Sequence, residues 1–364
     1  MSSIVGLDVH SKETVFCVQK KGSAEVVRRG RFPTTREGMA QWILEQRFRL
    51  GTQMGLEAGV SSFWVSRFLK ELGMEPVVLK ANEVRAKARR LGQKTDARDA
   101  FEICDGLRRD IFVARVYVPD AGIQRLRDLL SRRRHLVRIG TRQINATRHV
   151  LRARGISDLV NRLESERSWE QLLKAVELET FCDLLTGHDA IWRETHRQIQ
   201  ALEKAIEEAS EPYAEILNLL ESVPGVGKIV STTFLATVGN PERFPDGRHV
   251  ASYLGLVPSQ YDSGEKERPG KITKEGSSEC RSMLVEAAHQ ASRKSSPLHR
   301  LFCRHLVRHG YRKAVVTIAS HLARLLYAIW TQEKPFDATR WKADCTPAEK
   351  VNKVKRYKLV SSRK

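Results

Sequence analysis

Over the first third of the chain, short apolar runs alternate with stretches whose apolar residues recur at helical spacing. Ile4-Val5-Gly6-Leu7-Asp8-Val9 has the continuity of a buried strand, and it closes on a carboxylate. His10-Ser11-Lys12 follows as a turn, Thr14 to Val18 as a second strand and Val26 to Phe32 as a third, a series that predicts a three-stranded meander. Met39 to Gln46 has the pattern of an amphipathic helix. Gln53 to Leu56 returns to strand and finishes at Glu57. A helix is expected from Ser62 to Leu72, a strand from Pro76 to Leu79, and helices up to Arg90 and from Thr95 to Leu107.

Farther on the pattern is helical. From Ile123 to about Arg154, Leu126, Leu129, Leu130, Val137, Ile144 and Leu151 keep helical spacing, while Arg132, Arg133, Arg134, Arg138, Arg142, Arg148 and Arg152 occupy the other faces. Ile156 to Leu185 is more acidic and reads as a helical hairpin. Ile199, Leu202, Ile206 and Ala209 then mark a heptad-like step along His196 to Ser210, suited to a coiled-coil arm. Helices are expected from Tyr213 to Ser222 and from Ile229 to Val238, a turn at Phe244 to His249, a long loop from Tyr261 to Gly276, and helices from Met283 to Ala291 and from Ala314 to Trp330.

Charge changes this picture more than composition does. The 364 residues are 41% hydrophobic, ordinary for a folded chain, but the formal net charge is +20 and the pI near 9.9, which points to a polyanionic partner, nucleic acid first. The same charge would suit a purely architectural protein. Arg134, Arg138 and Arg142 are then candidates for phosphate contacts, against the plainer reading of a solvated helix face. The six cysteines form no C-x-x-C pair, which argues against disulfides and a zinc site. No apolar run is expected to reach membrane length, and Met1 to Gly6 leads into a polar turn rather than a signal-peptide core; a cytoplasmic protein is expected.

Four carboxylates carry the candidate chemistry. In Lys94-Thr95-Asp96-Ala97-Arg98-Asp99-Ala100, Thr95 can cap a helix whose first turn sets Asp96 and Asp99 on one face. Acidic residues in a first helical turn also suit the helix dipole. Three strands in series followed by strand-helix alternation is, however, the order of a ribonuclease H-like domain, in which acids at two strand ends meet others on a later helix. Here these are Asp8, Glu57, Asp96 and Asp99. Such a set can hold divalent ions for phosphoryl transfer, and hard oxygen ligands suit magnesium or manganese.

Two further motifs lie in the last third. Val223-Pro224-Gly225-Val226-Gly227-Lys228 between two helices has the helix-hairpin-helix pattern, in which Gly225 and Gly227 would let backbone N–H groups approach a phosphate beside Lys228; a plain interhelical turn is the alternative. Ser263 lies within the long basic loop that also carries Lys271 and Lys274. From spacing alone its Ser263-Gly264 dipeptide is a turn.

Taken in order, Gly6-Leu7-Asp8, Leu56-Glu57-Ala58-Gly59, Lys94 to Ala100, Val223 to Gly227, Tyr261-Asp262-Ser263-Gly264 and Pro335-Phe336-Asp337-Ala338 resemble the transposases of the insertion sequence 110 family, which includes the Piv-type DNA invertases. The resemblance spans nearly the whole chain. It implies an α/β plus α architecture: a RuvC-like DEDD domain at 1–118, a helical coiled-coil linker at 119–212, a mainly helical C-terminal transposase domain at 213–345 and a basic tail at 346–364. It also implies Asp8, Glu57, Asp96 and Asp99 as the metal-binding catalytic tetrad and Ser263 as the nucleophile. The implied partners are donor and target DNA, a non-coding bridge RNA that pairs with both, and further copies of the chain, a dimer assembling to a tetramer. A hydrolytic RuvC-type junction nuclease would need the tetrad without Ser263, and a non-catalytic nucleic-acid binder neither.

Overall fold

The computed structural model describes residues 3–87, 95–156, 163–176, 180–263 and 266–341. The chain divides after Asp120 into two compact units.

In the first unit, β1 (Ser3–Val9), β2 (Glu13–Lys20) and β3 (Val26–Pro33) form the antiparallel meander, and β4 (Gln53–Glu57) and β5 (Glu75–Leu79) extend the sheet in parallel on the other side of β1. The strand order is β3-β2-β1-β4-β5. β1 reads as a continuous apolar run because both its faces are covered. On one face Val5 and Leu7 meet Met39 and Trp42 of α1 (Arg36–Gln46) and Val65 and Leu69 of α2 (Ser62–Glu71). On the other, Ile4 and Cys17 meet Ala100, Ile103 and Cys104 of α4 (Asp96–Arg108), and α3 (Ala81–Lys87) precedes that helix. Thr95 stands at the N-cap of α4 with extended backbone, but its side chain makes no capping bond. At the other end, Arg108 donates to the buried Asp105 at 2.6 Å and anchors the helix. The elements expected at Arg90 and Lys94 lie outside the described residues.

The second unit opens on two long helices, α5 (Ala121–Arg152) and α7 (Cys182–Ser210). They run antiparallel: Arg133 meets Glu203, Gly140 lies under Trp192 and Thr195, and Gln143 bonds His188. Helix α7 begins well before the expected His196. The acidic segment whose role the sequence left open supplies α6 (Glu166–Ala175), whose Trp169 and Leu172 close the far end of the helical pair against Leu151, Phe181, Leu185 and Trp192. At the near end, Ile123, Leu126 and Leu130 share a core with Leu217 of α8 (Ala214–Glu221) and Leu235 of α9 (Lys228–Val238). There Arg127 donates to the carbonyls of Ala236 and Thr237, capping α9. The helical linker and the helices after it are thus built around common packing.

Three expectations are corrected in the last third. The turn at Phe244 to His249 starts a helix, α10 (Gly247–Tyr253), because the Asp246 carboxylate accepts from the backbone N–H of Arg248 and of His249. The long loop at Tyr261 to Gly276 is largely a two-stranded hairpin, β6 (Pro258–Ser263) with β7 (Lys266–Ile272). Helices α11 (Ser278–Ala291), α12 (His299–His309) and α13 (Tyr311–Gln332) complete the unit. Contrary to expectation, one helix among the described residues, α13, is long and apolar enough to cross a membrane, by length and composition only. Its Ala314, Val315, Ile318, Leu322, Leu326 and Ile329 lie in the core formed with α10 and α11.

Candidate functional site

Two glycines set the geometry of the acidic site. Gly6 of β1 pairs with Gly55 of β4, and Leu7 with Leu56, so Asp8 and Glu57 come next at the carboxyl ends of neighbouring parallel strands. A Cβ at Gly6 would collide with the Ala100 carbonyl oxygen and the Cys104 backbone nitrogen; one at Gly55 would press on Ile103 and Leu107. Their absence lets α4 lie against the strands, and side chains alternate along a strand, so Asp8 and Glu57 share the face that α4 covers. The first turn of α4 carries Asp96 and Asp99.

The structure brings Asp8 and Asp96 together and adds a residue not assigned from sequence. His10 Nε2 lies 3.0 Å from Asp8 Oδ2 and 3.6 Å from Asp96 Oδ1, and donor atoms of all three lie within 4.8 Å of one another. Burial raises the Asp8 carboxyl above its ordinary pKa; His10 opposes this, and Asp99 and Asp96 add to it. Asp99 is therefore within electrostatic reach of Asp8. Glu57, half-buried at its strand end, accepts from Arg85 at 3.5 Å. His10 could have been found in the sequence: the turn after β1 places it two residues beyond Asp8, able to fold back on the strand end.

The other catalytic candidate stands in the second unit. Ser263 is the last residue of β6 and pairs with Lys266, which puts it at the turn end of the hairpin. Gly264 lies outside the described residues.

Similarity to known proteins bears on this geometry. A model of DEDD transposases of the IS110 group, described as Transposase, matches residues 5–154, and one described as Transposase IS116/IS110/IS902 family matches 217–304. The two stretches take in more than half of the chain. The chain belongs to the IS110 family of transposases. It is 29% identical over 293 residues to a probable family 20 transposase of Pseudomonas aeruginosa, covering 77% of this chain and 84% of that protein. It is 25% identical over 298 residues to the transposase for insertion sequence element IS1111A of Coxiella burnetii, covering 76% and 77%. To the pilin gene-inverting protein of Moraxella lacunata it is 31% identical over 123 residues, 33% of this chain and 38% of that one.

This IS110 transposase is a DNA transposase or recombinase, and its DEDD domain points to a divalent metal. The donor set fits one: two carboxylate oxygens and an imidazole nitrogen converge, and like charges have been gathered at a half-buried strand end where a cation would relieve them.

The remaining candidates of the transposase divide by environment. Arg138 and Arg142 are exposed on α5, whereas Arg134 turns to α11, donating to Ser278 Oγ at 3.3 Å with the Glu279 carboxylate 4.0 Å away. Lys271 and Lys274 are exposed on β7 and just after it. Lys228 pairs with Glu207 at 2.6 Å. The two glycines before it differ. Gly225 has φ +90° and would drive a Cβ to 2.6 Å from the Ala287 carbonyl oxygen, so it is the contact by which the α8–α9 turn packs on α11; Gly227 faces open space. Gly225→Ala is expected to cost about 1–3 kcal/mol by strain and overpacking. Gly227→Ala should stay within about 1 kcal/mol of the parent. Urea denaturation checks both. A loss of DNA affinity in Gly227→Ala at unchanged stability would mark that turn as a phosphate contact.

Proposed function

We propose that this transposase exchanges DNA strands through a covalent phosphoserine at Ser263, assisted by Asp8, Glu57, Asp96 and Asp99 holding magnesium or manganese in a ribonuclease H-like domain. The observation that carries the reading is the convergence of Asp8 and Asp96 around His10, with Asp99 close enough to raise Asp8 further. Gathering like charges around the partly buried Asp8 costs free energy, and a bound divalent cation would offset it.

The Ser263 hydroxyl oxygen displaces one deoxyribose oxygen from the scissile phosphorus. One phosphodiester bond breaks, a phosphoserine ester forms, and the hydroxyl proton ends on the released deoxyribose. The number of phosphate esters is unchanged, so resealing to a new strand requires no outside energy source. Bound metal would supply charge neutralisation at the phosphate. The carboxylates set its place through strands β1 and β4 and helix α4, rigid elements rather than loops.

A structured bridge RNA selects donor and target DNA by pairing with both, and the protein reads backbone and shape. The charge of +20 supports this, since one polypeptide must hold RNA and two duplexes. Exposed Arg138, Arg142, Lys271 and Lys274 are the phosphate contacts this reading favours, and a dimer assembling to a tetramer is the form that acts.

The deciding experiment is a denaturing gel of purified protein, magnesium, end-labelled DNA and RNA transcribed from the DNA flanking the gene. A protease-sensitive protein–DNA adduct is expected with the parent and none with Ser263→Ala. Its loss when the RNA is omitted would support guidance. Free cleaved ends from both proteins would overturn the phosphoserine and leave a metal-dependent nuclease.

A further inference from the structure

Beside the carboxylates lies a second feature, lined by charges of both signs. At the turn between β1 and β2 an open cavity of about 320 Å³ is lined by His10, Lys12 and Glu13 of the turn and the start of β2, by Arg31 of β3 and by Asp96 of α4. Strand register explains how Arg31 comes to be there. Asp8 pairs with Val15, and Val15 with Arg31, so the three stand in one row across β1, β2 and β3 on the face that carries α4. Two interstrand steps separate the Asp8 and Arg31 backbones, about 10 Å.

The walls of this cavity are pinned by backbone bonds. The His10 N–H donates to the Glu13 carbonyl at 3.2 Å, and the Thr34 N–H donates to the Lys12 carbonyl at 2.9 Å, which ties the turn to the end of β3. Thr14 and Thr34 join their hydroxyls at 2.8 Å beneath. Arg29, on the same face as Arg31 and two residues before it, lies over the Phe101 ring of α4 at 5.4 Å. Arg29 is thus used in packing. Arg31 is 71% exposed, and among the described residues it pairs with Glu13, itself 54% exposed, at 3.2 Å.

We infer that this cavity binds a non-scissile phosphate of the DNA strand whose scissile phosphate lies over Asp8 and Asp96, with Arg31 as its principal ligand and Lys12 as a second cation. The inference rests on the acidic site being the place of strand cleavage. An exposed ion pair contributes little to stability, so exchanging Glu13 for a phosphate leaves the fold intact while Arg31 gains a planar, bidentate match. A cation on an edge strand can also serve merely to block sheet extension, and that role would leave nucleic-acid binding unmoved.

The test uses the full chain and a short fluorescent oligothymidylate. In EDTA, Arg31→Gln is expected to lower the slope of log affinity against log salt by about 0.7, the value for one contact to a single strand, and Arg31→Lys to keep most of it. An unchanged slope in Arg31→Gln overturns the inference. Position is read by phosphorus NMR with Mn²⁺ bound: paramagnetic relaxation of the oligonucleotide phosphates is expected in the parent and largely lost in Arg31→Gln, at equal Mn²⁺ occupancy by electron paramagnetic resonance. Equal relaxation in both overturns it as well. Absence of Mn²⁺ binding in the parent would count against the metal reading alone, since the EDTA titration still judges Arg31.

Discussion

An Asp8→Asn protein is expected to fold, to melt no lower than the parent, and to lose strand exchange by about 10²–10³-fold, the cost of removing one preorganised electrostatic group. The two halves of this expectation have the same origin. Burial disfavours the ionised form of the Asp8 carboxyl, His10 opposes this, and Asp99 and Asp96 add to it. Asparagine keeps the shape and removes the charge, so the metal-free fold loses nothing by it. A cation gains most from that same charge. Manganese should therefore raise the melting temperature of the parent by mass action and leave Asp8→Asn unmoved. Calorimetry with and without metal, beside a strand-exchange assay, checks both halves. A variant that melts lower and still binds manganese would mean that Asp8 is a structural residue.

Gly6→Ala is expected to destabilise the first unit by about 3 kcal/mol, the upper end of what overpacking costs. The atoms a methyl group would meet are the Ala100 carbonyl oxygen and, at 2.5 Å, the Cys104 nitrogen, both backbone of α4 and unable to rotate away. Relief requires moving the helix, and with it Asp96 and Asp99. The melting temperature should fall on the order of 10 °C, and manganese affinity should fall with it. Gly22→Ala, at a glycine with open space around it, is the matched control and should change neither.

Much of the first unit was legible because its strands are short apolar runs closed by charged residues, and because the order of strands and helices restricts how they can pair. Asp8 and Glu57 could be placed at strand ends on that basis, and Asp96 with Asp99 on a helix start. The spacing of these residues did not reveal the convergence itself, which depends on Gly6 pairing with Gly55, a relation between strands almost fifty residues apart. His10 reads as a turn residue, although its place two residues beyond Asp8 is a signal that the fold-back of the turn sets its ring against that carboxylate. In the second unit, the hairpin at Pro258 to Ile272 was hidden by Pro258, Pro269 and Gly270, which weaken any strand pattern. Helix α10 was hidden by Asp246-Gly247, a turn signal that here serves as a cap. The early turns of α7 bury Asp189 and Thr195 against α5 and α6, so apolar periodicity alone starts the helix too late.

The position of α13 late in the chain has a consequence for synthesis. The first unit is complete once Asp120 has left the ribosome and can close its sheet during translation. In the second unit, the core that α10 and α11 share with α13 cannot close until Tyr311–Gln332 has been made, because Leu322, Leu326 and their neighbours fill its interior. A gene copy with a stop codon before α13 would thus yield a folded fragment bearing the acidic cluster, attached to helices whose apolar faces have nothing to bury them. Decayed copies of the element would be expected to make protein that aggregates or is degraded rather than protein that competes for DNA.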